Sequence, residues 1–484
     1  MRRFLSHNAI ALLGQTAVVV QAIVLIPLLV RSAGVATYGA WSLLSTLLTF
    51  VFGVSAFGTA YRVARYLPTA QDAQRRRQLF YPQFVFQSFS LVALGLPLLA
   101  LARSFAEASS QSFSLLLALC YLITYLLFAQ ANQYLRYTNR ITSCILQSAL
   151  QTYAQVGVAL ALAAAGLLSI DALLVSYSAV MALASLPVLA LVARELGGPI
   201  VLPTMAMLRG DFAVGLPLVA SFVVDTVLSI GDRFVMVGFL PLADIGAYVA
   251  AYALGSLPLL LPRAAGMVVP QMLATAVDEG HPEKAKAIIS LSLRLFALIA
   301  IPFCAGSAVL GSDVLGMVAN ADVVSRAALV VPIVAVGSFL YGASMFTSHL
   351  LFVHAKTRSL LSANALAAAS NVLLNVALLG MIRSVVVPAT VTVVSYLILL
   401  TVMTRRLAPE WRVRIGMALI AKAIVAAGVM AWILSLLRVH TAVAGIVGIV
   451  VATAAGLTIY AVVLLALHRG EVRRHWNNAV QAIS

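Results

Sequence analysis

Four polar residues recur at helical spacing in the run ASFVVDTVLSIGDRFVMVG: Ser221, Asp225, Ser229 and Asp232 stand at i, i+4, i+8 and i+11. The seven-residue step between the aspartates leaves them within about 20° of each other on a helix, so the four make one stripe. Two carboxylates on one face suit cation binding or proton exchange. Arg233 follows Asp232 directly and Arg263 lies a short way downstream, so a structural ion pair stands beside that chemical reading. Asp225 has no such sequence neighbour and is the expected cation- or proton-responsive group, although the roles of the two aspartates could be exchanged.

The chemistry depends on the solvent around the stripe, and composition identifies it. Hydrophobic residues make up 62% of the chain, charged residues 10%, and the mean hydropathy is +1.04, against roughly half apolar and a quarter charged in a soluble domain. Apolar stretches long enough to cross roughly 30 Å of hydrocarbon recur along the chain. An intramembrane carboxylate costs at least roughly 2.5 kcal/mol unless water, a cation or a partner meets it, so function is its default reading.

Charged and Gly/Pro-rich breaks place fourteen spans, at 8–30, 38–61, 82–101, 112–133, 143–166, 171–193, 212–239, 245–273, 288–311, 327–353, 360–380, 385–404, 415–437 and 441–467. The first follows a basic flank with no small-residue cleavage site before Arg31, which reads as a retained span rather than a signal peptide. With both termini inside, 23 of the 31 Lys and Arg fall in inner segments or, as Arg294 does, in the inner end of a span, five fall in outer segments and the remaining three lie deeper within spans. A miscounted span would even out these totals. The net charge of +16 is thereby explained by orientation, not by nucleic acid, and a cationic inner rim attracts anionic lipids and phosphorylated lipid substrates. Cys120, Cys144 and Cys304 all lie within spans and read as small buried hydrophobes.

GVATYGAWSLL at 34–44 returns as PLADIGAYVAA at 241–251, with Val35 to Trp41 aligned on Leu242 to Tyr248. Both copies join an outward span to an inward one, and six spans separate them. Two parallel six-helix lobes follow, 1–200 and 201–404, with 405–484 carrying two further helices and an inner tail. The cavity between such repeats is the expected substrate site.

Amides form further polar faces. Gln147, Gln151 and Gln155 recur every four residues on span 5, Asn364, Asn371 and Asn375 share a face of span 11, and Asn8 and Gln15 stand seven apart on span 1. They suit sugar hydroxyls, but also hydrogen bonds between helices. The cations placed to meet a diphosphate are Arg233, Arg263 and Lys422 within spans and Arg62 at the inner mouth, where snorkelling to the interface is the competing explanation. No phosphate-binding G-x-x-x-x-G-K-[ST] loop, H-E-x-x-H or paired-cysteine metal set occurs. The outer loops are too short for the catalytic groups of a membrane glycosyltransferase or polymerase, so no enzyme is expected.

The run Pro27 to Gly34 followed by Tyr38-Gly39-Ala40-Trp41 resembles the first hairpin of the polysaccharide transporters. These are the O-antigen and exopolysaccharide flippases of the multidrug/oligosaccharidyl-lipid/polysaccharide exporter superfamily. SIGDRFVMVG with Ile245-Gly246-Ala247-Tyr248, then Pro270-Gln271-Met272, and the paired Asn371 and Asn375 are similar to that family's spans 7, 8 and 11. The resemblance implies a V-shaped pair of lobes that opens alternately inward and outward.

Within the superfamily, the cell-wall-precursor branch implies several arginines in spans 1 and 2, where this chain has only Arg31 and Arg62 at the span ends. The multidrug branch is the alternative: Asp225 and Asp232 suit it, and Arg233 and Arg263 oppose it. The expectation is an all-α polytopic flippase of the bacterial cytoplasmic membrane, monomeric and without cofactor, coupled to H+ or Na+. Its partners are a lipid-linked oligosaccharide, membrane lipids and polysaccharide polymerase or assembly proteins, not nucleic acid.

Overall fold

The computed structural model of the chain describes residues 21, 24–70, 72–108, 111–266, 268–353, 357–411, 417–440 and 445–467. Among these the chain is helical, with no strand. Thirteen helical segments among the described residues are long and apolar enough to cross a membrane. Asn8, Gln15 and most of the expected first span lie outside the described residues.

The chain divides into two compact units, one of Met1–Thr226 with Pro241–Gly246 and one of Val227–Leu240 with Ala247–Ser484. The first unit contains α1 (24–32), α2 (Val35–Ser55), α3 (Ala60–Tyr66), α4 (Ala73–Ala108), α5 (Leu115–Tyr137), α6 (Ile141–Ala164), α7 (Ile170–Leu196) and the first two thirds of α8 (Met205–Met236). Ser114 caps α5 by accepting from the Leu117 N–H at 3.4 Å, and its own N–H donates to Asp171 Oδ1 at 2.8 Å. This contact ties the start of α5 to that of α7, and the two helices pack along each other. Large apolar side chains such as Leu146, Leu150 and Leu183 point outward, as helices bathed in hydrocarbon require.

The second unit holds the end of α8 and most of α9 (Leu242–Gly255), followed by α10 (Leu260–Ala265), α11 (Val269–Asp278), α12 (Pro282–Val318), α13 (Ala321–Ala327), α14 (Val330–Val353), α15 (Thr357–Met381), α16 (Val386–Arg406), α17 (Met417–His440) and α18 (Gly445–Leu467). The eighth span, expected as one helix over 245–273, is broken into α9, a 3-10 turn at Leu257–Leu259, α10 and α11. Pro258, Pro262 and Pro270 each lack the N–H that a continuous helix needs. Gly255 precedes the first break: a Cβ there would stand 2.6 Å from the Val331 carbonyl oxygen, so only glycine lets the chain lie this close to α14.

The repeated turn closes on itself within the first unit. A Cβ on Gly39 would lie 2.2 Å from the Leu242 carbonyl oxygen, and one on Gly246 would lie 2.2 Å from that of Val35. Each copy of the Gly-Ala-aromatic turn thus leaves room for the backbone of the other. A second glycine pair, Gly58 and Gly215, brings the end of α2 against α8, and a Cβ on Gly58 would come within 2.0 Å of the Gly215 Cα. Small residues at such crossings replace the hydrophobic driving force that lipid does not supply. Gly39→Ala is therefore expected to cost about 1–3 kcal/mol through forced backbone displacement and to lower the melting temperature of the detergent-solubilised protein. Gly157→Ala, where a Cβ meets nothing within 4 Å, should leave it unchanged or raised.

Candidate functional site

Helix α8 delivers Asp232 into the interior of the second unit, where the residue is 3% exposed. Its neighbours come from three other helices as pairs four residues apart, the spacing that puts two side chains on one helical face. These are Tyr248 and Tyr252 of α9, Asn371 and Asn375 of α15, and Thr392 and Tyr396 of α16.

The Tyr248 hydroxyl donates to Oδ2 of Asp232, the Arg233 N–H donates to Oδ1 at 2.8 Å, and the Thr392 hydroxyl also reaches the carboxylate. Asn371 Nδ2 donates to Thr392 Oγ1 at 3.5 Å, and Asn375 Nδ2 donates to the Asn371 Oδ1 at 3.1 Å and main-chain oxygen at 2.9 Å. Asn375 is fully buried and among the described residues its Oδ1 accepts from no protein group. The Arg233 guanidinium lies over the Tyr252 ring at 5.5 Å. Tyr252 and Tyr396 hydroxyls are 3.4 Å apart, and Tyr341 stacks on Tyr396 with centroids 4.6 Å apart. This is one connected polar core around one carboxylate.

Of the residues expected to act, the structure brings Asp232, Arg233, Asn371 and Asn375 together here. Arg263 stands exposed on α10 within electrostatic range of Tyr252. Asp225, two turns earlier on α8, is exposed. Lys422 is half-buried on α17, a helix that packs against α12 and α18. Tyr252, Thr392 and Tyr396 went unnoticed in the sequence and Tyr248 was read only as part of the repeated turn, although they carry the same four-residue spacing as the asparagines.

In the first unit, Gln151 and Gln155 are buried on α6, and Gln155 Oε1 accepts from Gln21 Nε2 at 3.1 Å. Gln147 Nε2 donates to the Ala184 carbonyl at 3.0 Å. Trp41, the counterpart of Tyr248 in the repeat, meets Tyr177 of α7 edge-on at 5.7 Å. This unit therefore has an amide core with aromatic cover but no carboxylate in it. Arg62 is held by Asp211, Nε to Oδ1 at 3.2 Å, with side chains 15% and 7% exposed. The pair sits one turn beyond the Gly58–Gly215 crossing on each helix.

The sequence matches the family described as polysaccharide biosynthesis protein over residues 5–276. No curated protein matches it in sequence. In fold it is similar to the lipid II flippase MurJ in an inward closed conformation, with a TM-score of 0.72 at 13% identity over 97% of this chain and 100% of that one. It is also similar to an inward-facing multidrug resistance MATE family transporter of the MOP superfamily, with a TM-score of 0.62 at 13% identity over 81% of this chain and 92% of that one. An outward-facing MATE transporter matches with a TM-score of 0.53 at 14% identity over 82% and 92%.

Removing one member of the Arg62–Asp211 pair leaves a charge with little water around it. Arg62→Met and Asp211→Leu are each expected to destabilise by about 3–5 kcal/mol, and the double substitution by much less than their sum. A double-mutant cycle on thermal unfolding in detergent measures this coupling, and additive losses would show that the pair contributes nothing.

Proposed function

The chain belongs to the polysaccharide biosynthesis protein family, within the MOP superfamily, and from that premise we propose that it is a flippase. Its substrate is an isoprenoid-diphosphate-linked oligosaccharide, the repeat unit of an O-antigen or exopolysaccharide, moved from the inner to the outer leaflet of the bacterial cytoplasmic membrane. Two six-helix lobes, 1–200 and 201–404, alternate access to the substrate, and the monomer hands it to a polymerase without covalent chemistry.

The observation that carries this reading is the polar core of the second unit, a buried carboxylate in an otherwise apolar bundle with Arg233 beside it and Arg263 near. The guanidinium groups supply the diphosphate's counter-charge, and planar Arg suits phosphate oxygens. The lipid-linked reading draws on the fold likeness to the lipid II flippase MurJ, which covers 97% of this chain. An apolar cleft of about 1020 Å³ between α12, α13, α17 and α18 gives the isoprenoid chain a wall while most of it stays in lipid.

We assign coupling to Asp232, the buried one of the two aspartates, in preference to Asp225. A buried acceptor with no donor, as Asn375 Oδ1 is, is costly unless an ion or water meets it. Asp232, in the same polar core, supplies the negative charge that a cation such as Na+ would meet. A bound ion would neutralise the carboxylate and so favour one packing of α8 against α15 and α16. The multidrug reading draws on the exposed Asp225 and on the MATE fold.

Disruption of the gene should deplete surface glycan and leave lipid-linked sugars accumulated on the cytoplasmic side. Asp232→Asn should abolish the dependence of export on the Na+ gradient, and Asp225→Asn should retain it. Normal surface glycan without inner accumulation would overturn the flippase reading, and resistance to cationic dyes on overexpression would favour the multidrug one.

A further inference from the structure

The first unit contains a second polar interior, apart from the Gln21–Gln155 contact. Gln83 Nε2 and Gln130 Nε2 both donate to Gln87 Oε1 at 2.8 Å, and Gln87 Nε2 reaches Ser55 Oγ at 3.4 Å. All three glutamines are 1–2% exposed. The ladder uses up one acceptor and leaves two: Gln83 Oε1 and Gln130 Oε1 are buried with no donor among the described residues.

A cleft of about 360 Å³ opens beside Gln87 and Gln130, with Phe52 and Tyr125 in its wall. Gln133 and Arg136 of α5 also line it. Among the described residues the Gln133 amide makes no hydrogen bond, and the exposed Arg136 has no acidic partner.

This combination does not suit lipid, because uncompensated amides and a guanidinium inside a bundle are costly. Nor does it suit an organic cation, since Arg136 repels one and no carboxylate lines the cleft. A pyranose offers what the wall lacks. Its hydroxyls can donate to and accept from the Gln133 amide, its C–H faces pack on aromatic rings, and the volume falls within the roughly 300–1,000 Å³ of small-molecule sites. A guanidinium at the same cleft meets a phosphate or carboxylate. The lining comes from the end of α2, the start of α3, Gln87 of α4, the second half of α5 and the first third of α6. On the orientation given by the cation count this is the inner end of the bundle, where the lipid-linked sugar is presented.

We propose that the cleft is a subsite for one sugar unit carrying an anionic group, with Arg136 at the anion and Gln133 at the hydroxyls. The assignment rests on the flippase reading and names where its headgroup is first held. The anion is either the diphosphate next to the first sugar or the carboxylate of an acidic sugar.

The test uses the full chain in nanodiscs, with binding of farnesyl diphosphate, farnesyl-diphosphate-linked glucose and glucuronic acid measured calorimetrically. Gln133→Ala is expected to weaken the sugar-bearing probe about five- to tenfold, one neutral hydrogen bond in effect, and to leave farnesyl diphosphate within about twofold. Arg136→Gln should cost about ten- to a hundredfold on whichever probe carries the recognised anion, the lipid diphosphates or glucuronic acid, which tells the two sources apart. Both side chains lie at the cleft surface, outside the buried ladder, and unchanged elution on size exclusion verifies folding. Wild-type affinity of both variants for every probe that the parent binds would overturn the subsite and leave the flippase reading standing. A parent chain that binds none of the three would overturn both.

Discussion

A carboxylate that leaves water for the interior of an apolar helix bundle must be met from several directions, and the bond from the Tyr248 hydroxyl to Asp232 is the contact that organises the second unit. Arg233 and Thr392 complete the shell around the carboxylate, and each of these groups has a second task. Arg233 lies over Tyr252, Tyr252 meets Tyr396, and Thr392 receives the Asn371 amide. Shortening any one side chain would leave a polar atom unsatisfied where water is scarce, so α8, α9, α15 and α16 are constrained as a set. Hydrophobic burial could not do this, because lipid is as good an apolar solvent as the core. The helices are positioned instead by polar satisfaction at a few places and by glycine-permitted backbone approach at others.

Much of this architecture was legible in the chain itself. Length and hydropathy are strong signals in a membrane, and α5, α6, α7, α15 and α16 fall within a few residues of their expected spans. The break in the eighth span was not read, although Pro258, Pro262 and Pro270 were visible. A hydropathy window averages over a proline, whereas the backbone loses a donor at one point. The core of the second unit was half legible. Asp232, Asn371 and Asn375 stand out as polar atoms in apolar runs, but Tyr248, Tyr252 and Tyr396 count as hydrophobic in any such reading while their hydroxyls do polar work once buried. The Arg62–Asp211 pair joins residues far apart in sequence, which no local spacing reveals. The Gln83, Gln87 and Gln130 ladder is split between two helices in the same way.

The two halves use one plan with different chemistry. Where α15 presents Asn371, α6 presents Gln155, and where the second turn presents Tyr248 the first presents Trp41. Gln155 is answered by Gln21, a neutral amide, and the carboxylate of the second core has no counterpart in the first. Amides in an apolar bundle are worth on average about 0.6 kcal/mol per contact, so the first core tolerates exchange of partners. A charge beside neutral oxygens does not.

That asymmetry sets how freely each core can change. An amide pair such as Gln21–Gln155 keeps a partner when either side becomes another neutral polar residue, whereas loss of the Tyr248 hydroxyl leaves the buried Asp232 carboxylate short of a donor. Random substitution is therefore absorbed more readily by the Gln21–Gln155 contact than by the shell around Asp232.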